Sequence, residues 1–91
     1  MNPAQRKYAA WVAEDGCTIC RKPAEAHHEP YGRGRKDHRY LVALCVYHHK
    51  DGTAGRHHIK LERFNRLYKM DIRQLAKDNW DEYQSYQEDA L

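Results

Sequence analysis

The sequence predicts a small α+β domain, and three features carry that expectation. A short aliphatic run, Tyr40-Leu41-Val42-Ala43-Leu44, reads as a strand. The segments toward either end repeat their apolar residues at helical spacing, and Cys and His fall in short pairs able to pin such pieces together. With 91 residues and a mean hydropathy of −1.09, the chain has little apolar surface to bury. Chains this small usually need a disulfide, a metal or a partner beside their core. No apolar run approaches the ~18 residues of a membrane helix, and Met1-Asn2-Pro3-Ala4 shows no secretory leader. An intracellular protein with no membrane partner is therefore expected. In that compartment an odd count of 3 Cys argues against disulfides.

Residues 4–14 read as a helix: Pro3 suits its start, Tyr8, Trp11 and Val12 share a face, and Asp15-Gly16 stops it. Cys17-Thr18-Ile19-Cys20 follows, then a turn at Arg21-Lys22-Pro23. Residues 24–29 fit an extended segment. Paired with the 40–44 strand, they form an antiparallel hairpin whose tip is the Gly- and Arg-rich stretch 31–37. Residues 46–51 begin a helix that Asp51-Gly52 breaks. From Ile59, a helical face collects Leu61, Phe64, Leu67 and Tyr68, closing at Met70. Asp71 and Gln74 are spaced as a capping box, and the last helix aligns Ile72, Leu75, Ala76, Trp80 and Tyr83. Both stripes read as core. The whole is one domain over 1–91, with a core over 17–58 and a C-terminal helical segment over 59–88.

Cys17-x2-Cys20 and Cys45-x2-His48 are two halves of a zinc site. The tight turn between paired ligands points both toward one ion, and three thiolates with one imidazole form a closed structural Zn2+ site. Such a site contributes about 10–16 kcal/mol of folding energy, enough to stand in for a larger core.

That site uses one of 7 His, and six of the seven fall in three adjacent pairs: His27-His28, His48-His49 and His57-His58. If the helix after Cys45 packs on the hairpin, His49 points opposite His48, back toward the strand carrying His27 and His28. This allows a second, open metal site beside an unliganded imidazole, an arrangement suited to catalysis.

The order Cys17-x2-Cys20, Ala26-His27-His28, Gly32-Arg33-Gly34-Arg35-Lys36-Asp37-His38-Arg39-Tyr40-Leu41-Val42-Ala43-Leu44-Cys45, His48-His49 and a later His resembles the HNH endonucleases. Within them the chain is similar to the small phage and prophage proteins related to the recombination-enhancement, RecA-dependent nuclease, over residues 10 to about 76. The resemblance implies a small zinc-stabilised ββα-metal core with an N-terminal helix and C-terminal helices. It implies a metal-dependent DNA endonuclease or nickase in the cytoplasm of a bacterial host, with a RecA-type filament as a further partner. His28 is then the general base and His27 a ligand of the catalytic divalent ion, which could be Mg2+, Mn2+, Ni2+ or Zn2+. His49 and one of His57 or His58 complete that ligand set, His57 being the one assigned. Tyr40 stands where the family has Asn, leaving Asp37, His38 or Tyr40 to orient the base. Ala43 replaces a common Pro. A reading from another class, a non-enzymatic zinc finger that binds nucleic acid, accounts for the Cys residues and leaves most of the histidines without a role.

Charge is unevenly spread. Residues 1–77 hold all 16 Lys and Arg against 8 acidic residues, while 78–91 hold the other 5 acidic residues and no base. The body is basic enough for a polyanion, and Arg33, Arg35, Lys36 and Arg39 cluster at the hairpin tip, where Gly32 and Gly34 let a phosphate backbone come close. Replacing Arg33, Arg35 and Lys36 together by Ala should lower the slope of log affinity against log salt by up to about 3, measured on duplex DNA. An unchanged slope would place the DNA surface elsewhere.

Overall fold

Asn2 opens the first helix with a reciprocal cap. Its side chain accepts the Gln5 N–H at 2.8 Å, and the Gln5 side chain accepts the Asn2 N–H at 2.8 Å. With Pro3 in the first turn, α1 runs Pro3–Ala13 in the computed structural model, which describes residues 1–29 and 37–89. The elements that follow are β1 (Glu25–His28), β2 (Leu41–Leu44), a single π turn (Tyr47–Asp51), α2 (Leu61–Tyr68) and α3 (Ile72–Asp89). The result is a small mixed α+β structure around a two-stranded antiparallel sheet. Residues 30–36, and with them most of the basic hairpin tip, lie outside the described residues. No helix among the described residues is long and apolar enough to cross a membrane.

The sheet register is Glu25↔Leu44, Ala26↔Ala43, His27↔Val42 and His28↔Leu41. Successive side chains in a strand point to opposite faces, so the hairpin has two different sides. Val42 and Leu44 face a cluster with Cys17, Cys45, Phe64, Ile72 and Ala76. Leu41 and Ala43 face the other way, against Tyr8, Val12 and Tyr83. On that second side the aromatic rings join α1 to α3: Tyr8 meets Trp80 edge-on at 5.0 Å and Tyr83 at 4.8 Å, and Trp11 meets Tyr83 at 5.2 Å. Two polar bonds tie these helices to the sheet region. Tyr8 donates its hydroxyl to the Arg39 carbonyl at 2.8 Å, and Asn79 donates to the Leu41 carbonyl at 2.9 Å.

The helices differ from their expected form in three places. Ile59 and Lys60 precede α2 instead of starting it; Lys60 is extended, and Ile59 packs on the core from outside the helix. Leu67 is 53% exposed, so the buried face of α2 is Phe64 with Leu61 and Tyr68 beside it. The Asp71–Gln74 capping box is half formed: Asp71 accepts the Gln74 N–H at 3.1 Å, but the Gln74 side chain turns forward to Asp78 at 2.9 Å. An amide four residues from a carboxylate on the same helix has a partner on its own face.

Gly16 shapes the entry to the first Cys pair. Its φ is +86°, and a Cβ there would sit 2.5 Å from the Arg21 carbonyl oxygen. The chain needs that approach because Cys17 N–H donates to the Lys22 carbonyl at 2.8 Å and Arg21 N–H to the Cys17 carbonyl at 2.9 Å. Gly16→Ala should therefore lower stability by more than ~1 kcal/mol, seen as a drop in Tm of at least about 4 °C. An unchanged Tm would show that the knuckle relaxes at no cost.

Candidate metal centres

The first Cys pair sits in the turn after Gly16, the second half at the end of β2 and in the π turn. Backbone donors organise both halves around sulfur: Ile19 N–H lies 3.4 Å from Cys17 Sγ, and His48 N–H 3.5 Å from Cys45 Sγ. Across the halves, Cys20 Sγ is 3.6 Å from Cys45 Sγ, and His48 Nδ1 is 3.2 Å from Cys45 Sγ and 3.7 Å from Cys17 Sγ. A tetrahedron with Zn–S about 2.3 Å and Zn–N about 2.0 Å has edges of roughly 3.5–3.8 Å. Cys17, Cys20, Cys45 and His48 thus supply the donor set of a Zn2+ site, close enough together to hold one ion, with the His48–Cys45 edge tighter than that range. Burial works against the Cys17 thiolate, yet backbone donors at Cys45, Cys20 and Ile19 pull its pKa down to about 6. A thiol so lowered is ready to bind metal at neutral pH. Tyr68 covers the cluster from α2, its ring 5.4 Å from that of His48 and its hydroxyl donating to the Ala54 carbonyl at 3.0 Å.

A second cluster forms on the same side of the sheet. Gly52 N–H reaches back to the Tyr47 carbonyl at 2.8 Å, closing the π turn. The chain then folds over itself, with Arg56 N–H on the His48 carbonyl at 2.8 Å and His57 N–H on the His49 carbonyl at 3.0 Å. These bonds set the His57 ring 4.4 Å from His49 and 5.7 Å from His27, with His27 and His49 4.6 Å apart. One nitrogen from each of His27, His49 and His57 lies within 4.8 Å of the other two. His58 is not in the cluster; its Nε2–H donates to the Lys50 carbonyl. Burial holds His49 below the ordinary imidazole pKa, and the neighbouring His27 and His57 rings add to this against the bond to Glu25. His57 is lowered too, by burial and then by His27. Neutral imidazole is the form that binds metal.

His28 follows His27 in β1 but faces the opposite way. Its Nε2 is 2.8 Å from Nδ1 of His38. Of the three residues considered for orienting it, His38 makes this contact. Asp37 is instead engaged by Arg39, whose Nε and Nη2 lie 3.0 and 2.7 Å from its two oxygens. Tyr40 carries the Arg39 guanidinium 5.2 Å above its ring. Arg39 is thus already paired, while Arg33, Arg35 and Lys36 lie outside the described residues.

Three residues enter the site that spacing did not single out. Glu29 is 1% exposed and accepts from His27 Nε2 at 2.7 Å, from Arg56 Nε at 2.9 Å and from Arg56 Nη2 at 2.8 Å. Burial would raise its carboxyl, but the bonds from His27 and Arg56 outweigh that and hold it below the usual range. Glu25 accepts from His49 Nδ1, which lowers its own pKa. Glu25, His27 and Glu29 are alternate positions of one extended segment, and that period of two was the available signal.

No protein-family model, curated protein or solved structure matches the chain.

The tetrad joins the turn after Gly16, the end of β2 and the π turn, so losing it should unfold the domain. Cys45→Ser is expected to lose one equivalent of zinc and cooperative melting together. A Cys45→Ser protein that holds no zinc and melts like the original would refute this.

Proposed function

We propose that the chain is a metal-dependent DNA endonuclease or nickase of the HNH type. The observation that carries this reading is the convergence of His27, His49 and His57, from a strand, a π turn and the loop behind it, beside a separate Cys/His tetrad. A finger that only binds nucleic acid needs the tetrad and has no use for a second cluster. The order of motifs along the chain supplies the resemblance to HNH enzymes and with it DNA as the substrate.

Phosphodiester hydrolysis needs a deprotonated water in line with the leaving 3′-oxygen. His28 takes that proton; its Nε2 lies 2.8 Å from Nδ1 of His38. His38 holds the ring in place. His27, His49 and His57 would hold the divalent ion, which when bound supplies positive charge to the phosphorane-like transition state and the leaving oxyanion. Strand alternation keeps the base out of the ligand set, although the two residues are neighbours with Cα atoms only ~3.8 Å apart.

Plasmid nicking with Mg2+, Mn2+ or Ni2+, with and without a RecA-type filament, tests this. His28→Ala should lose about 10²–10⁴-fold in rate while keeping its zinc and its melting curve. His27→Ala and His49→Ala should recover in part when the ion concentration is raised. A His28→Ala protein that nicks as fast as the original overturns the mechanism. A wild-type protein that binds DNA and never cuts it returns the zinc-finger reading.

A further inference from the structure

The two carboxylates beside the imidazole cluster touch different nitrogens. Glu29 takes Nε2 of His27 and Glu25 takes Nδ1 of His49. A neutral imidazole has one N–H and one lone pair, and an ionised carboxylate can only accept. Each contact therefore decides which nitrogen of its ring carries the proton, and so which nitrogen is left with the lone pair.

Glu29 is held in the accepting role with unusual firmness. Its side chain is fully buried, the Arg56 guanidinium grips both of its oxygens, and Arg73 Nε lies 3.9 Å from Oε1. A buried carboxylate is costly unless paired and hydrogen-bonded, and one arginine would meet that need. The extra bond to His27 is directed at a ring of the cluster. Glu25 repeats the arrangement on the other flank, with Lys50 Nζ 3.4 Å from the oxygen that accepts from His49.

We propose that Glu29 and Glu25 are positioning residues that fix opposite tautomers of two cluster histidines, so that His27 presents Nδ1 and His49 presents Nε2 to a bound divalent ion. The ion is the one named in the functional reading above, and that part of the proposal rests on it. The tautomers themselves do not. Carboxylates in this outer position orient the ring and raise its basicity, and their loss typically weakens metal binding by about 10–100-fold. A role confined to tying β1 to the Arg56 loop would leave the His27 tautomer unchanged.

The test uses zinc-loaded protein with Glu29→Gln and Glu25→Gln. Long-range 1H–15N spectra of the histidine rings should show His27 as the Nε2–H form and His49 as the Nδ1–H form in the original protein. Glu29→Gln should give a mixture at His27, and Glu25→Gln a mixture at His49. Titration with Ni2+ should show about 10–100-fold weaker binding in each variant, with zinc content unchanged. If Glu29→Gln does not fold, Glu25→Gln carries the test, because the Glu25 side chain is 37% exposed and its loss strands no buried charge. Unchanged tautomers in the folded variants overturn the proposal, as does an equal Ni2+ affinity in variants of a protein that binds Ni2+ at the cluster. Tautomers set as stated, and lost in the variants, in a protein that takes no Ni2+, Mn2+ or Mg2+ at the cluster support the positioning role and refute the metal-dependent nuclease.

Discussion

A two-stranded antiparallel ribbon is marginal in water on its own, so the rest of this molecule depends on how its two faces are covered. They are covered by different means. One face meets rings contributed by α1 and α3, and aromatic contact of this kind is dense for the few residues it needs. The other meets Phe64, Ile72 and Ala76 together with the sulfurs of Cys17 and Cys45. On that side ligand chemistry and apolar packing occupy the same space, which is how a polar chain of this length can hold a strand, a turn and two helices together.

The same face carries the charge problem of the fold. Glu29 is among the larger fully buried side chains, in the company of Tyr8, Phe64 and Leu41. It is tolerated because Arg56 and His27 reach it from different directions, and because Arg56 is itself anchored to the Ile59 carbonyl at 3.1 Å. That one arginine thus links β1 to the approach to α2. The loop that brings His57 to the cluster and the loop that delivers Arg56 to Glu29 are the same, so the electrostatics and the geometry of the cluster are built together.

Much of this was legible in the chain. Cys-x2-Cys and Cys-x2-His spacing is local, and local spacing survives folding; the hairpin and both C-terminal helices follow from short apolar runs. What escaped notice depended on partners distant in sequence. Glu25 and Glu29 look like ordinary surface acids until the strand turns them inward toward His49 and Arg56. Leu67 has the right helical position for burial, but α2 is only 8 residues long and, among the described residues, none buries that end of its stripe. The end of α2 was hidden for another reason: Lys69 closes it at φ 54°, a conformation for which Gly or Asn is the usual signal.

Consecutive histidines in the turn over Tyr47–Asp51 serve different clusters, so a one-residue offset divides the labour between them. Replacing the exposed neighbours Val46 or Tyr47 leaves that offset alone. Inserting or deleting a single residue between Cys45 and His49 does not, since each step along a helical turn rotates a side chain by roughly 100°. A ring meant for the sulfurs would swing toward His27, and the other cluster would lose its central member. Val46 and Tyr47 can be exchanged for other residues, but the number of residues between Cys45 and His49 is fixed by the two clusters.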